Sequence, residues 1–173
     1  SSLLRLAAGL IPPLAGELKR DGVTITNDVQ CHINGLHYLG HLDGAKSSYT
    51  VEENLNFWIN LFATKKTKKK SYLIPQAAER LGLSKHSDVP AEFLSAGQRQ
   101  RLALARLVTI PRPLWILDEP ESSLDDEGHN VVAEMIGEHR ANGGMVMIAF
   151  HGKLNLSDLD LLQMDSFTSR TVE

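Results

Sequence analysis

Apolar positions recur at helical spacing from the start of the chain, at Leu3, Leu4, Leu6, Ala7 and Leu10, so the first predicted element is a helix. No strand and no initiator methionine precede that pattern, and the chain reads as opening inside an element: a fragment, a processed form or a truncated gene model. Pro12-Pro13 and Gly16 mark a turn, and Lys19-Arg20-Asp21-Gly22 a second. Val23-Thr24-Ile25 predicts a short strand and residues 36–40 another. Residues 51–80 are helical in pattern, with Leu55, Ile59 and Phe62 at helical spacing. The lysine-rich run from Lys65 to Lys70 interrupts them and predicts an exposed loop or helix end. Beyond Leu94 the pattern alternates: helix 98–108, strand 114–117, helix 126–140, strand 145–150. Short, continuously apolar strands between helices predict a parallel α/β sheet covered on both faces.

Composition narrows the class. The 173 residues are 42% hydrophobic and 23% charged, which suits one globular domain with a sizeable core. A net charge of −3 argues against general affinity for nucleic acid. Cys31 is the single cysteine, so no internal disulfide forms, and a reducing compartment fits. No apolar run approaches the ~18–20 residues that span a bilayer, and no signal-peptide pattern precedes the first helix. A role at a membrane therefore predicts a peripheral, cytoplasmic partner.

Candidate chemistry begins at Leu114-Trp115-Ile116-Leu117-Asp118-Glu119-Pro120, where two carboxylates follow four apolar residues and a proline stops the strand. Ligands of open α/β sheets bind outside the carboxyl ends of strands. One acid there can help hold Mg²⁺ while the other orients or deprotonates a water. Alone, such a pair is ordinarily a strand end followed by solvated acids. The next unit changes the balance. Asp126 and Glu127 suit a helix start, Val131, Val132, Met135, Ile136 and His139 form its buried stripe, and the following strand finishes at His151. A right-handed crossover puts the two strands in one sheet, so Asp118, Glu119 and His151 are expected to converge. Histidine is suited to sensing a terminal phosphate. Upstream, Ser95 and Gly97 at a helix start form either an anion site or an ordinary N-cap.

With these residues in register, a resemblance appears. Leu94-Ser95-Ala96-Gly97-Gln98 resembles the signature motif of ABC transporter ATP-binding subunits, with alanine for the first glycine, and Ala103-Leu104-Ala105-Arg106 resembles its usual continuation. Leu114 to Glu119 resembles the Walker B strand with the catalytic glutamate, Ser122-Ser123-Leu124-Asp125 the D-loop, and His151 the switch histidine. Ser1-Ser2-Leu3-Leu4-Arg5 resembles the segment directly after the Gly-Lys of a Walker A loop. The resemblance implies a P-loop NTPase (RecA-like) parallel sheet, N-terminally truncated, in a single domain whose α/β core is 1–41 and 95–173 and whose inserted, mainly helical subdomain is 42–94. It also implies ATP and Mg²⁺ as ligands. Ser1 and Asp118 would serve the metal, Ser2 the phosphates, Glu119 the water and His151 the γ-phosphate. Ser95, Ala96, Gly97 and Gln98 would face nucleotide held by a second subunit, and Asp125 would link the two sites. Implied partners are an integral-membrane permease and a second ATPase subunit, at the cytoplasmic face of the bacterial inner membrane.

Several stretches further resemble the ATP-binding subunit of the haem exporter of bacterial cytochrome c maturation, among them Tyr38-Leu39-Gly40-His41, Thr50-Val51-Glu52-Glu53-Asn54-Leu55 and Pro113-Leu114-Trp115. That resemblance implies haem export or handling as the driven process. Two other readings stay open: a non-catalytic ABC fragment acting as an interaction module, and an ABC ATPase for lipid, peptide or metal chelate. Three features depart from the pattern. Leu42 stands where many members of the family place a Mg²⁺-touching glutamine, so either that contact is lost or Asp43 substitutes; Glu121 stands where phenylalanine or threonine is commoner; and the lysine run at 65–70 is either a solvated loop or a lipid-attracted one. Cys31, His32, His37 and His41 invite a metal or haem reading, but a strand at 36–40 accounts for His37 and His41 structurally.

Overall fold

The computed structural model describes residues 1–25, 28–41, 43–62, 72–151 and 154–167. Its frame is a three-stranded parallel sheet of β3 (Leu36–Leu39), β4 (Leu114–Asp118) and β5 (Met145–Ala149), with β4 in the middle. Leu36 pairs with Leu114 and Leu114 with Met145, so the carboxyl ends of the three strands lie at one edge. A two-residue antiparallel ribbon, β1 (Lys19–Arg20) with β2 (Val23–Thr24), stands apart from it.

Strand alternation divides the core in two. Leu114 and Ile116 of β4 face one side with Leu36, Met147 and Ala149, and there they meet Leu4, Ala7 and Ala8 of the first helix, α1 (Ser2–Ala7), and the turn after it. Trp115 and Leu117 face the other side and join the larger cluster. That cluster takes in α3 (Val51–Phe62), α4 (Leu73–Arg80), α5 (Ala96–Thr109) and α6 (Asp126–Ala141). Leu102, Leu104 and Leu107 of α5 are almost wholly buried between α3 and α4. Asn54 of α3, fully buried, donates to the carbonyls of Lys46, Tyr49 and Thr50 and accepts from the Lys46 N–H, tying the preceding loop to the helix.

Local chemistry explains the helix starts. Thr50 and Glu53 form reciprocal side-chain-to-backbone bonds at the head of α3, and Ser95 and Gln98 do so at the head of α5. Pro75 sits in the first turn of α4, where no intrahelical N–H is required of it.

Several elements depart from the sequence expectation. The opening helix stops at Ala7 because Gly9 takes φ +73°, and Leu10, expected on its apolar stripe, is half exposed. A helix unmarked by periodicity, α2 (Val29–Asn34), forms on a cap in which Asp28 accepts the Cys31 N–H. The strand expected at 114–117 includes Asp118, and the helix expected from residue 98 begins at Ala96. Leu42 and the run Lys65 to Lys70 lie outside the described residues.

Candidate functional site

The carboxyl edge of the sheet carries the chemistry. By the alternation of β4, Asp118 points to the same face as Leu114 and Ile116, toward α1. Its side chain is 7% exposed, and the Ser1 nitrogen lies 3.9 Å from Oδ1. Among the described residues the Asp118 carboxylate accepts no hydrogen bond. A buried carboxylate beside a serine supplies hard oxygen donors only, which fits Mg²⁺; a cation that keeps several waters needs no cluster of three or more protein ligands, and none of that kind occurs among the described residues. Ser2 follows at the first position of α1 and is exposed.

Glu119 leaves the strand at φ +53°, a left-handed conformation that costs a non-glycine residue energy and that clusters at functional positions. The turn brings its carboxylate to His151 from the next strand: Nε2 of His151 lies 2.9 Å from Oε1 of Glu119. The ladder continues just far enough to hold this arrangement, with the Glu119 N–H donating to the Ala149 carbonyl at 2.8 Å. Both side chains remain open to solvent, 44% for Glu119 and 73% for His151. Asp118, Glu119 and His151 are therefore gathered at one strand-end edge, with Ser1 beside Asp118.

The second group of expected residues lies at the head of α5. Ser95 accepts the Gln98 N–H at 3.2 Å, and the Gln98 side chain accepts the Ser95 N–H at 2.9 Å while donating to His86 Nε2 at 2.9 Å. The capping role thus uses an acceptor site of Ser95 and leaves its hydroxyl proton free to donate outward; Ser95 and Ala96 are exposed. No hydrogen bond or ion pair joins Ser95, Ala96, Gly97 or Gln98 to Asp118, Glu119 or His151 among the described residues. They meet the loop after β4 instead. A methyl on Gly97 would stand 2.7 Å from the Ser123 carbonyl oxygen, Gln100 donates to the Pro120 carbonyl at 2.9 Å, and Arg101 pairs with Asp125 at 2.6 Å. Asp125 caps α6 by accepting the Gly128 N–H; that bond first, then Arg101, holds its carboxyl below the usual range.

The Asp43 carboxylate accepts the Ala45 N–H and lies 4.0 Å from Arg99 of α5; among the described residues no hydrogen bond or ion pair joins it to Ser1, Glu119 or His151. The histidines near Cys31 are engaged separately. His37 donates to the Ile110 carbonyl at 2.6 Å and His32 to the Ala7 carbonyl at 2.9 Å, while Cys31 and His41 are exposed. Burial pushes the His37 imidazole down to about 3. One residue of the site was missed as functional by sequence reading: Glu121, buried at 4% exposure, accepts the His151 backbone N–H at 2.7 Å. Its one signal in the sequence was an acid placed directly after Pro120, just beyond the end of β4.

With this geometry in hand, comparison defines the class: the chain is an ATP-binding domain of the ABC transporter family, whose model matches residues 1–122. Family membership implies ATP binding. Among particular relatives it is similar to the cytochrome c biogenesis ATP-binding export protein CcmA of Paramagnetospirillum magneticum, 40% identical over 167 residues that cover 96% of this chain and 76% of that protein. CcmA of Haemophilus influenzae is 36% identical over 96% of this chain and 77% of its own length. A solved structure described as the ATP binding subunit of an ABC transporter has the same fold, with a TM-score of 0.74 at 18% identity over 86% of this chain. This chain spans 62% of that one. No helix among the described residues is long and apolar enough to cross a membrane.

Proposed function

We propose that the chain hydrolyses ATP in a transporter that exports or handles haem for cytochrome c biogenesis. The observation that carries the catalytic part is the Glu119–His151 contact at the strand-end edge beside buried Asp118. The cargo rests on likeness to the export proteins named CcmA.

In this reading Ser1 and Asp118 hold Mg²⁺, whose contribution when bound is to neutralise charge on the phosphate oxygens. Ser2 adds a hydroxyl to the phosphates. Glu119 orients an attacking water and accepts its proton, and His151, which meets Glu119 through Nε2, would turn that N–H to the terminal phosphate once nucleotide is bound. The left-handed turn at Glu119 serves this by aiming the carboxylate out of the sheet, where water reaches it. Because no hydrogen bond or ion pair joins Ser95, Ala96, Gly97 or Gln98 to that cluster among the described residues, they are assigned to nucleotide held by a second copy, with the Ser95 hydroxyl proton as donor. Asp125, tied to Arg101 of α5, couples the two halves. The helices between residues 42 and 94 form the subdomain presented to an integral-membrane permease, which places the assembly peripherally on the cytoplasmic face of the bacterial inner membrane.

The test is Glu119→Gln in the assembled transporter, read by ATP binding and turnover. Binding should persist while turnover falls by about 10²-fold or more, the range of a lost general base. Unchanged turnover overturns the assignment and leaves an interaction module as the reading. Cargo is tested separately: cells carrying Glu119→Gln should make apocytochromes c but lose the haem-bearing forms. Normal haem loading would redirect the proposal to another cargo.

A further inference from the structure

A carboxylate buried to 4% exposure is unfavourable unless it is hydrogen-bonded, and an apolar side chain of similar size would ordinarily be preferred there. Glu121 meets that demand with one oxygen: its Oε1 accepts the His151 N–H across 30 residues of sequence at 2.7 Å, a short, charge-assisted contact, while its buried Oε2 has no partner among the described residues. The position of that bond matters. The β4–β5 ladder ends where Asp118 pairs with Ala149, and Glu119 then turns away at φ +53°. Beyond Ala149 the chain has left the register that would fix it, and His151 has no strand partner in the ladder. Glu121 supplies one from the loop. Glu119 and Glu121, two residues apart, then hold one residue by two handles: Glu119 meets the imidazole and Glu121 meets the backbone N–H.

We infer that Glu121 is a positioning residue, clamping the backbone of His151 so that its imidazole reaches Glu119. The inference rests on the reading of Glu119 and His151 as the hydrolytic pair, and it deepens that reading by assigning a task to a buried acid beside them. Glu121 is itself buried and holds His151 by its backbone N–H, while the imidazole stays exposed.

Nuclear magnetic resonance on this chain tests the clamp without nucleotide. In the unaltered protein the His151 amide proton should resonate at low field and exchange slowly. Glu121→Leu removes the acceptor: amide exchange at His151 should accelerate by roughly tenfold or more, as expected on losing a bond to a charged group. The His151 ring signals should also move toward those of a Glu119→Ala variant, in which the imidazole has lost its partner. Glu121→Gln keeps an acceptor without charge, so it should restore protection and ring position while shifting the amide proton upfield. Should Glu121→Leu fail to fold, Glu121→Gln still decides, since an amide signal identical to the unaltered protein would overturn the clamp. Ring signals and exchange at His151 unchanged in a folded Glu121→Leu would overturn it as well. Loss of the hydrolytic assignment would show instead as normal turnover in Glu119→Gln, a result that leaves these spectra as they are.

Discussion

Gly97 and Ser123 approach so closely that a methyl group on the first would stand 2.7 Å from the carbonyl oxygen of the second. The obstacle is backbone rather than the end of a flexible side chain, so it cannot swing aside. Gly97→Ala must therefore shift the head of α5 or the loop holding Ser122 to Asp125. The expected cost is about 1–3 kcal/mol in chemical denaturation, the range for overpacking. Stability equal to the unaltered protein would mean that the loop yields freely.

The backbone at Glu119 gives a second prediction. At φ +53° a side chain carries a strain that glycine does not. Comparing Glu119→Gly with Glu119→Ala removes the His151 contact from both, leaving the backbone term. Glycine should be the more stable of the two by about 1 kcal/mol, partly offset by its greater freedom when unfolded. Alanine the more stable would show that the turn is unstrained.

Acid sensitivity should be traceable to His37. Burial lowers its folded-state value from 6.5 to about 3, so the folded protein keeps it neutral while the unfolded chain binds a proton below 6.5. Its contribution to stability is fully present above pH 6.5, falls as the pH drops, and is gone below about 3. Unfolding free energy should decline by about 1.4 kcal/mol per pH unit through that window from this residue alone. Denaturant titrations at pH 7 and pH 5 on the unaltered chain and on His37→Gln check it; equal slopes in both would dismiss His37 as the source.

Ile116 links the core to the site, because it is fully buried in the small cluster that seats α1. Ile116→Ala should cost about 2–5 kcal/mol and loosen α1, which carries Ser2 and follows Ser1. Nucleotide affinity measured in Mg²⁺ should fall with it. By contrast, Leu117→Ala on the opposite face should cost similar stability but disturb affinity less.

The sequence by itself determined the elements whose pattern is local. Short, continuously apolar runs marked β4 and β5, apolar residues at helical spacing marked α6, and the right-handed crossover between successive parallel strands predicted that Asp118, Glu119 and His151 would converge. It also carried the family, since the motifs at 94–98 and 114–119 stand in the order and spacing of ABC ATP-binding domains, and the family model matches residues 1–122. What it could not carry depends on contacts between distant segments. The end of α1 at Ala7 and the helix at Val29–Asn34 are set by a glycine conformation and a side-chain cap. Glu121 is the clearest case. As letters, it is an acid following a proline. Only when β5 lies beside β4 does a backbone N–H arrive 30 residues later to give that acid a partner, because hydrogen-bond geometry is fixed by tertiary packing and not by sequence neighbours.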